Sequence, residues 1–108
     1  MKLNRLTTGL LVGLTIVSTS VIAAGDPEAG KTKALACKGC HGIPGYANVY
    51  PTYQVPKVAG QHAEYIVAAL KAYKSGQRQH KTMQSQAATL SEQDMADIAA
   101  FFAGTEQK

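Results

Sequence analysis

Cys37-Lys38-Gly39-Cys40-His41 is the stretch on which the reading of this 108-residue chain turns. Two cysteines three apart at the end of a helix set their sulfurs side by side, and the next imidazole reaches the same place. Each thiol can add to one vinyl group of a haem while the imidazole reaches the iron, so C-x-x-C-H is the attachment pattern for c-type haem. Other uses of the pair fit less well. A redox dithiol wants a preceding strand and a βαβ surrounding, and neither pattern is present. Structural zinc needs four ligands. With no further cysteines, His62 and His80 would have to complete the set, and they lie 18 apart instead of three to five.

The length leaves room for one domain. Residues 1–24 read as a cleaved signal peptide: Lys2 and Arg5 open it, Leu10 to Val17 are apolar, and small residues follow at Ala23 and Ala24. A retained membrane anchor is the other reading, since Leu6 to Gly25 carries no charge. Threonines and serines interrupt that run, which favours cleavage and export to the periplasm. The mature domain is then 25–108, with nine basic against seven acidic side chains and a net charge of +2. So small a charge, spread along the chain, argues against nucleic acid as a partner. A domain of this size buries only about 60% of its unfolded surface. Aromatics are few and tryptophan is absent, so something besides side chains is expected to fill the interior.

The patterning predicts an all-α fold of three main helices with loops between them. The first opens at Asp26-Pro27-Glu28, with an aspartate cap, a proline whose missing N–H does no harm, and a carboxylate at the positive end. It is expected to run to about Ala36. Gly30 inside it costs about 1 kcal/mol against alanine, which suggests that another helix passes too close for a side chain. The second runs from His62 to Ser75, with Ile66, Val67, Leu70 and Tyr73 on one face and Gly76 as terminator. The third begins at Ser91, where Ser91 and Asp94 have capping-box spacing. Met95, Ile98, Ala99 and Phe102 form its buried stripe. No run alternates long enough to predict a sheet. Residues 42–60 read as an extended loop, and 77–90 are polar and ambiguous.

A six-coordinate haem iron needs a second ligand, and the candidates are Met83, Met95, His62 and His80. Met95 lies on the apolar stripe, where methionine is ordinary core filling. His62 opens a helix and is expected to face solvent. His80 and Met83 share a loop that could fold over the haem, and composition alone does not separate them.

From Gly25 to Ala103 the sequence resembles the class I cytochromes c, particularly the small bacterial cytochrome c553 and c4 group. The resemblance rests on Asp26-Pro27-Glu28-Ala29-Gly30-Lys31, on Cys37 to Gly42, on Val55-Pro56-Lys57-Val58-Ala59-Gly60-Gln61, on Tyr65 to Leu70, and on Leu90 to Phe102. It implies a small class I cytochrome c fold wrapped around one covalent haem c. Cys37 and Cys40 would form the thioethers, and His41 would be the proximal iron ligand. The resemblance assigns Met83 as the distal ligand, although Lys81 stands where the family often has proline. It implies that the Pro56 carbonyl accepts a hydrogen bond from the His41 ring, and that Gly30 packs against Phe101 or Phe102. Tyr46, Tyr50, Tyr53 and Tyr65 read equally well as propionate partners or as ordinary packing.

With His41 and Met83 both on the iron, no site is open for a small-molecule substrate. The expected function is therefore one-electron transfer rather than catalysis, with periplasmic or membrane redox proteins as donor and acceptor. Two alternatives stay open: a haem subunit of a larger periplasmic oxidoreductase or oxidase complex, and a peroxidase or gas-binding protein with an open sixth site. Cytochromes of the c4 type carry two haem motifs in tandem, whereas this chain has one.

Overall fold

The computed structural model describes residues 24–50 and 52–106. The proposed signal segment up to residue 23 lies outside them. Among the described residues no helix is long and apolar enough to cross a membrane.

Five helices and one short hairpin follow one another: α1 (Pro27–Lys33), α2 (Leu35–His41), β1 (Ala47–Val49), β2 (Thr52–Gln54), α3 (Ala63–Ser75), α4 (Lys81–Ala87) and α5 (Glu92–Ala103). The three expected helices are present, and three features differ. The first helix does not stop at Ala36. It breaks at fully buried Ala34, where ψ relaxes to 4°, and resumes as α2 through the whole Cys37–His41 motif. The ambiguous polar stretch contains α4. The expected loop at 42–60 contains an antiparallel hairpin, paired Ala47↔Gln54, Asn48↔Tyr53 and Val49↔Thr52. Three residues are too few for alternation to show in a sequence. A lone hairpin is also marginal in water, and this one leans on the rest of the molecule. The Val55 N–H bonds the Tyr46 carbonyl at 3.0 Å, and the Tyr53 hydroxyl meets the Thr82 hydroxyl at 3.2 Å.

The helix ends obey local chemistry. The Asp26 carboxylate accepts from the Glu28 N–H at 2.9 Å. Ser91 and Asp94 exchange both capping-box bonds, at 3.0 and 2.9 Å. Gly76 ends α3 in the left-handed region at φ 81°, which glycine adopts without a Cβ penalty.

The core gathers Ala34, Ile66, Leu70, Ala87, Met95, Ile98, Ala99 and Phe102. These come from α3, α5 and the ends of the other helices, and α1 lies along α5. A Cβ built on Gly30 would stand 1.9 Å from the Asp97 carbonyl oxygen and 2.9 Å from the Phe101 Cβ. The helical glycine thus marks a close approach to α5 at Phe101. Beside it, buried Asp97 accepts from the Asp26 N–H at 2.8 Å, from Lys33 Nζ at 2.6 Å and from Gln93 Nε2 at 2.9 Å. These bonds hold the start of α1 on α5. Lys33 also pairs with Asp94 at 2.8 Å.

Candidate functional site

α2 carries Cys37, Cys40 and His41, at positions that share one helical face. All three line an apolar cavity of about 490 Å3, within the range of small-molecule and cofactor sites. Both thiols are free. Cys37 packs against the core, and burial pushes its thiol above the ordinary value, with Cys40 adding to the shift.

His41 Nδ1 lies 2.7 Å from the Pro56 carbonyl oxygen. A carbonyl can only accept, so Nδ1 carries the proton and Nε2 keeps a lone pair. The loop holding that carbonyl is fastened at both ends. Val55 bonds back to Tyr46, and the Gly60 N–H bonds the Phe102 carbonyl at 2.8 Å. Gly60 makes this possible as the third residue of a turn closed by Gln61 N–H to Val58 O, with φ 76°.

Met83 reaches the same cavity from α4, together with His80. His80 precedes α4 in an extended conformation, and its Nδ1 accepts from the Met83 N–H at 3.3 Å. Here the partner is a donor, so Nδ1 supplies the lone pair and the neutral ring has its proton on Nε2. The two histidines therefore use the same ring nitrogen in opposite senses.

His62 is exposed at the head of α3, and Met95 is 1% exposed within the core. Neither is among the cavity-lining residues. Tyr53 and Tyr65 line the cavity, whereas Tyr46 does not and Tyr50 is 94% exposed. Arg78 and Thr82 also line it, and neither is foreshadowed by the sequence reading. Arg78 lies 4.8 Å over the Tyr73 ring and donates to the Tyr65 hydroxyl at 3.4 Å. One signal was available for Arg78: after residue 5 it is the single arginine among lysines, and only arginine combines a flat stacking face with a fork of donors.

These residues suit a haem. Two free thiols are available for its vinyl groups, and an imidazole with an available lone pair shares the apolar cavity with a thioether, an N and S donor pair appropriate to its iron. Among the described residues no group of three or more His, Cys, Asp or Glu could hold a bare metal ion.

A helical domain folded around a cavity with an attachment motif in its wall defines a carrier of a bound prosthetic group. Residues 27–106 match the family model described as Cytochrome c, and the chain belongs to that family, whose haem c with its iron is bound covalently through the motif that Cys37 and Cys40 fit. The chain is 40% identical over 101 residues to cytochrome c4 of Pseudomonas aeruginosa, covering 94% of this chain and 48% of that one. It is 41% identical over 86 residues to cytochrome c-554(548) of Halomonas halodenitrificans, covering 77% of this chain and 100% of that one. The crystal structure of reduced recombinant cytochrome c4 from Pseudomonas stutzeri aligns with a TM-score of 0.58 at 26% identity. That alignment covers 80% of this chain and 53% of that one. The fold is that of the class I cytochromes c, and the chain spans about half the length of its cytochrome c4 relatives.

Proposed function

We propose that the chain is a periplasmic one-electron carrier, with haem c joined to Cys37 and Cys40, His41 on one side of the iron and Met83 on the other. The observation that carries this reading is that one apolar cavity gathers both thiols, the His41 ring and Met83. Bound there, haem c supplies a one-electron ferric/ferrous couple. His41 would bind through Nε2, because the Pro56 carbonyl holds the ring proton on Nδ1 and so raises the basicity of the other nitrogen. Met83 offers a thioether, the partner that raises the potential in His/Met centres. Largely apolar walls disfavour extra charge, which works in the same direction. Were His41 and Met83 both to hold the iron, no place would remain for a substrate, so the partners would be redox proteins that donate and accept electrons. The reduced form in which the Pseudomonas stutzeri relative was solved supports redox cycling.

The test is purified periplasmic protein. Its mass and pyridine haemochrome spectrum should show one haem on two thioethers, and ferrous protein should leave carbon monoxide unbound at neutral pH. Rapid carbon monoxide binding would make it a gas- or peroxide-binding protein instead. Persistent association with a larger oxidoreductase through high salt would make it a subunit.

A further inference from the structure

His80 accounts for the placement of the methionine. It precedes α4 with φ −166° and ψ 107°, its carbonyl accepts from the Gln84 N–H at 2.8 Å, and its ring nitrogen accepts from the Met83 N–H. These are the positions and bonds of an N-cap, supplied here by an imidazole. The ring is also held. It meets Tyr53 edge-on with centroids 4.8 Å apart and Tyr73 at 6.4 Å, while the Tyr53 hydroxyl bonds Thr82 in the first turn of α4. α4 has seven residues, too few to persist without such support.

We propose that His80 is a positioning residue, whose Nδ1 caps α4 and so holds Met83 against the cavity, and that it is not itself an iron ligand. The inference rests on the reading of Met83 as distal ligand. Capping uses the Nδ1 lone pair and leaves the proton on Nε2, so the ring as held has no nitrogen lone pair left for a metal. A capped first turn limits how far Met83 can withdraw from the cavity when an outside ligand competes for its place. Loss of the cap should therefore ease displacement.

Two substitutions separate cap from ring. His80→Asn keeps a capping acceptor and loses the ring, whereas His80→Phe keeps a ring and loses the acceptor. Imidazole is titrated into each ferric haem protein while the long-wavelength charge-transfer band of the thioether–iron bond is followed. Amide exchange at Met83 reads the cap independently of ligation. His80→Asn should match the natural chain within about twofold, with Met83 protected. His80→Phe should bind imidazole about fivefold more tightly, or about 1 kcal/mol at 1.4 kcal/mol per tenfold, with faster Met83 exchange. Equal behaviour of His80→Phe and the natural chain would overturn the inference. So would a His80→Asn protein as loose as His80→Phe, which would assign the effect to ring packing. Met83→Leu checks the underlying reading. If the natural chain lacks the band, and Met83→Leu leaves its low-spin ferric spectrum unchanged while both His80 variants turn high-spin, His80 is the ligand and both readings fall. If it alone loses the band and the His80 variants match the natural chain, Met83 stands as ligand and only the inference fails.

Discussion

Replacing Gly30 with alanine opposes two effects of known sign. Helix propensity favours alanine by about 1 kcal/mol in a helix interior. Against it stands a Cβ 1.9 Å from the Asp97 carbonyl oxygen and 2.6 Å from its carbon. Those are main-chain atoms of α5, so relief requires α1 and α5 to separate by on the order of 1 Å, where interiors tolerate little strain. Overpacking costs about 1–3 kcal/mol, and an unyielding backbone puts this site at the upper end. Separation would also stretch the bonds that Asp97 receives from Asp26 and Lys33. The net expected loss is about 2 kcal/mol, or about 8–16 °C in Tm for a domain of this size. Thermal unfolding of the haem protein followed by far-UV circular dichroism measures it. Gly39 is the control, since it is helical, exposed and has nothing within 4 Å of a built Cβ. Gly39→Ala should hold or raise Tm by up to about 8 °C, through propensity alone. An unchanged or raised Tm in Gly30→Ala, or equal losses in both variants, would refute the steric argument.

Acid should loosen the clamp between α1 and α5. The Asp26 N–H, then Lys33, then Gln93 hold Asp97 at about 2, and Lys33 with the Ser91 backbone and hydroxyl holds Asp94 at about 2. Both folded values lie below the ordinary 3.8. Their contribution is therefore complete above that pH and is lost as pH falls through the folded values. Lys33 is raised above 10.5, first by Asp94 and then by Asp97, so its share is complete below that pH and is lost as pH rises through the raised value. The thermal midpoint should fall from about pH 3.8 toward 2, and Asp97→Asn should flatten that fall; equal acid sensitivity in both proteins would contradict the clamp. Met95→Leu should leave the thioether–iron band intact and cost less than about 1.5 kcal/mol, whereas loss of the band would move the distal ligand to α5.

The features legible in the chain were those written within about four residues. The cap at Asp26, the box of Ser91 and Asp94, the terminator Gly76 and the Cys37–His41 turn each bond or bridge to near neighbours, so spacing alone reveals them. Apolar periodicity likewise identified the buried faces of α3 and α5. Gly30 was an intermediate case: its cost was visible locally, while the α5 carbonyl that requires it lies across the fold.

What only the folded chain decided depends on contacts between distant residues. The Asp97 clamp joins residues 64 and 71 positions apart. The hairpin and α4 are short elements that support each other through Tyr53, Thr82 and His80, and neither carries enough local pattern to be seen alone. His80 and Met83 were inseparable by composition. The proposed division between cap and ligand rests on His80 Nδ1 meeting the Met83 N–H, and that is a matter of distance and direction. Local preferences act through neighbouring backbone bonds and leave a mark in order and spacing, whereas a site assembled across the fold depends on which surfaces come together when apolar area is buried.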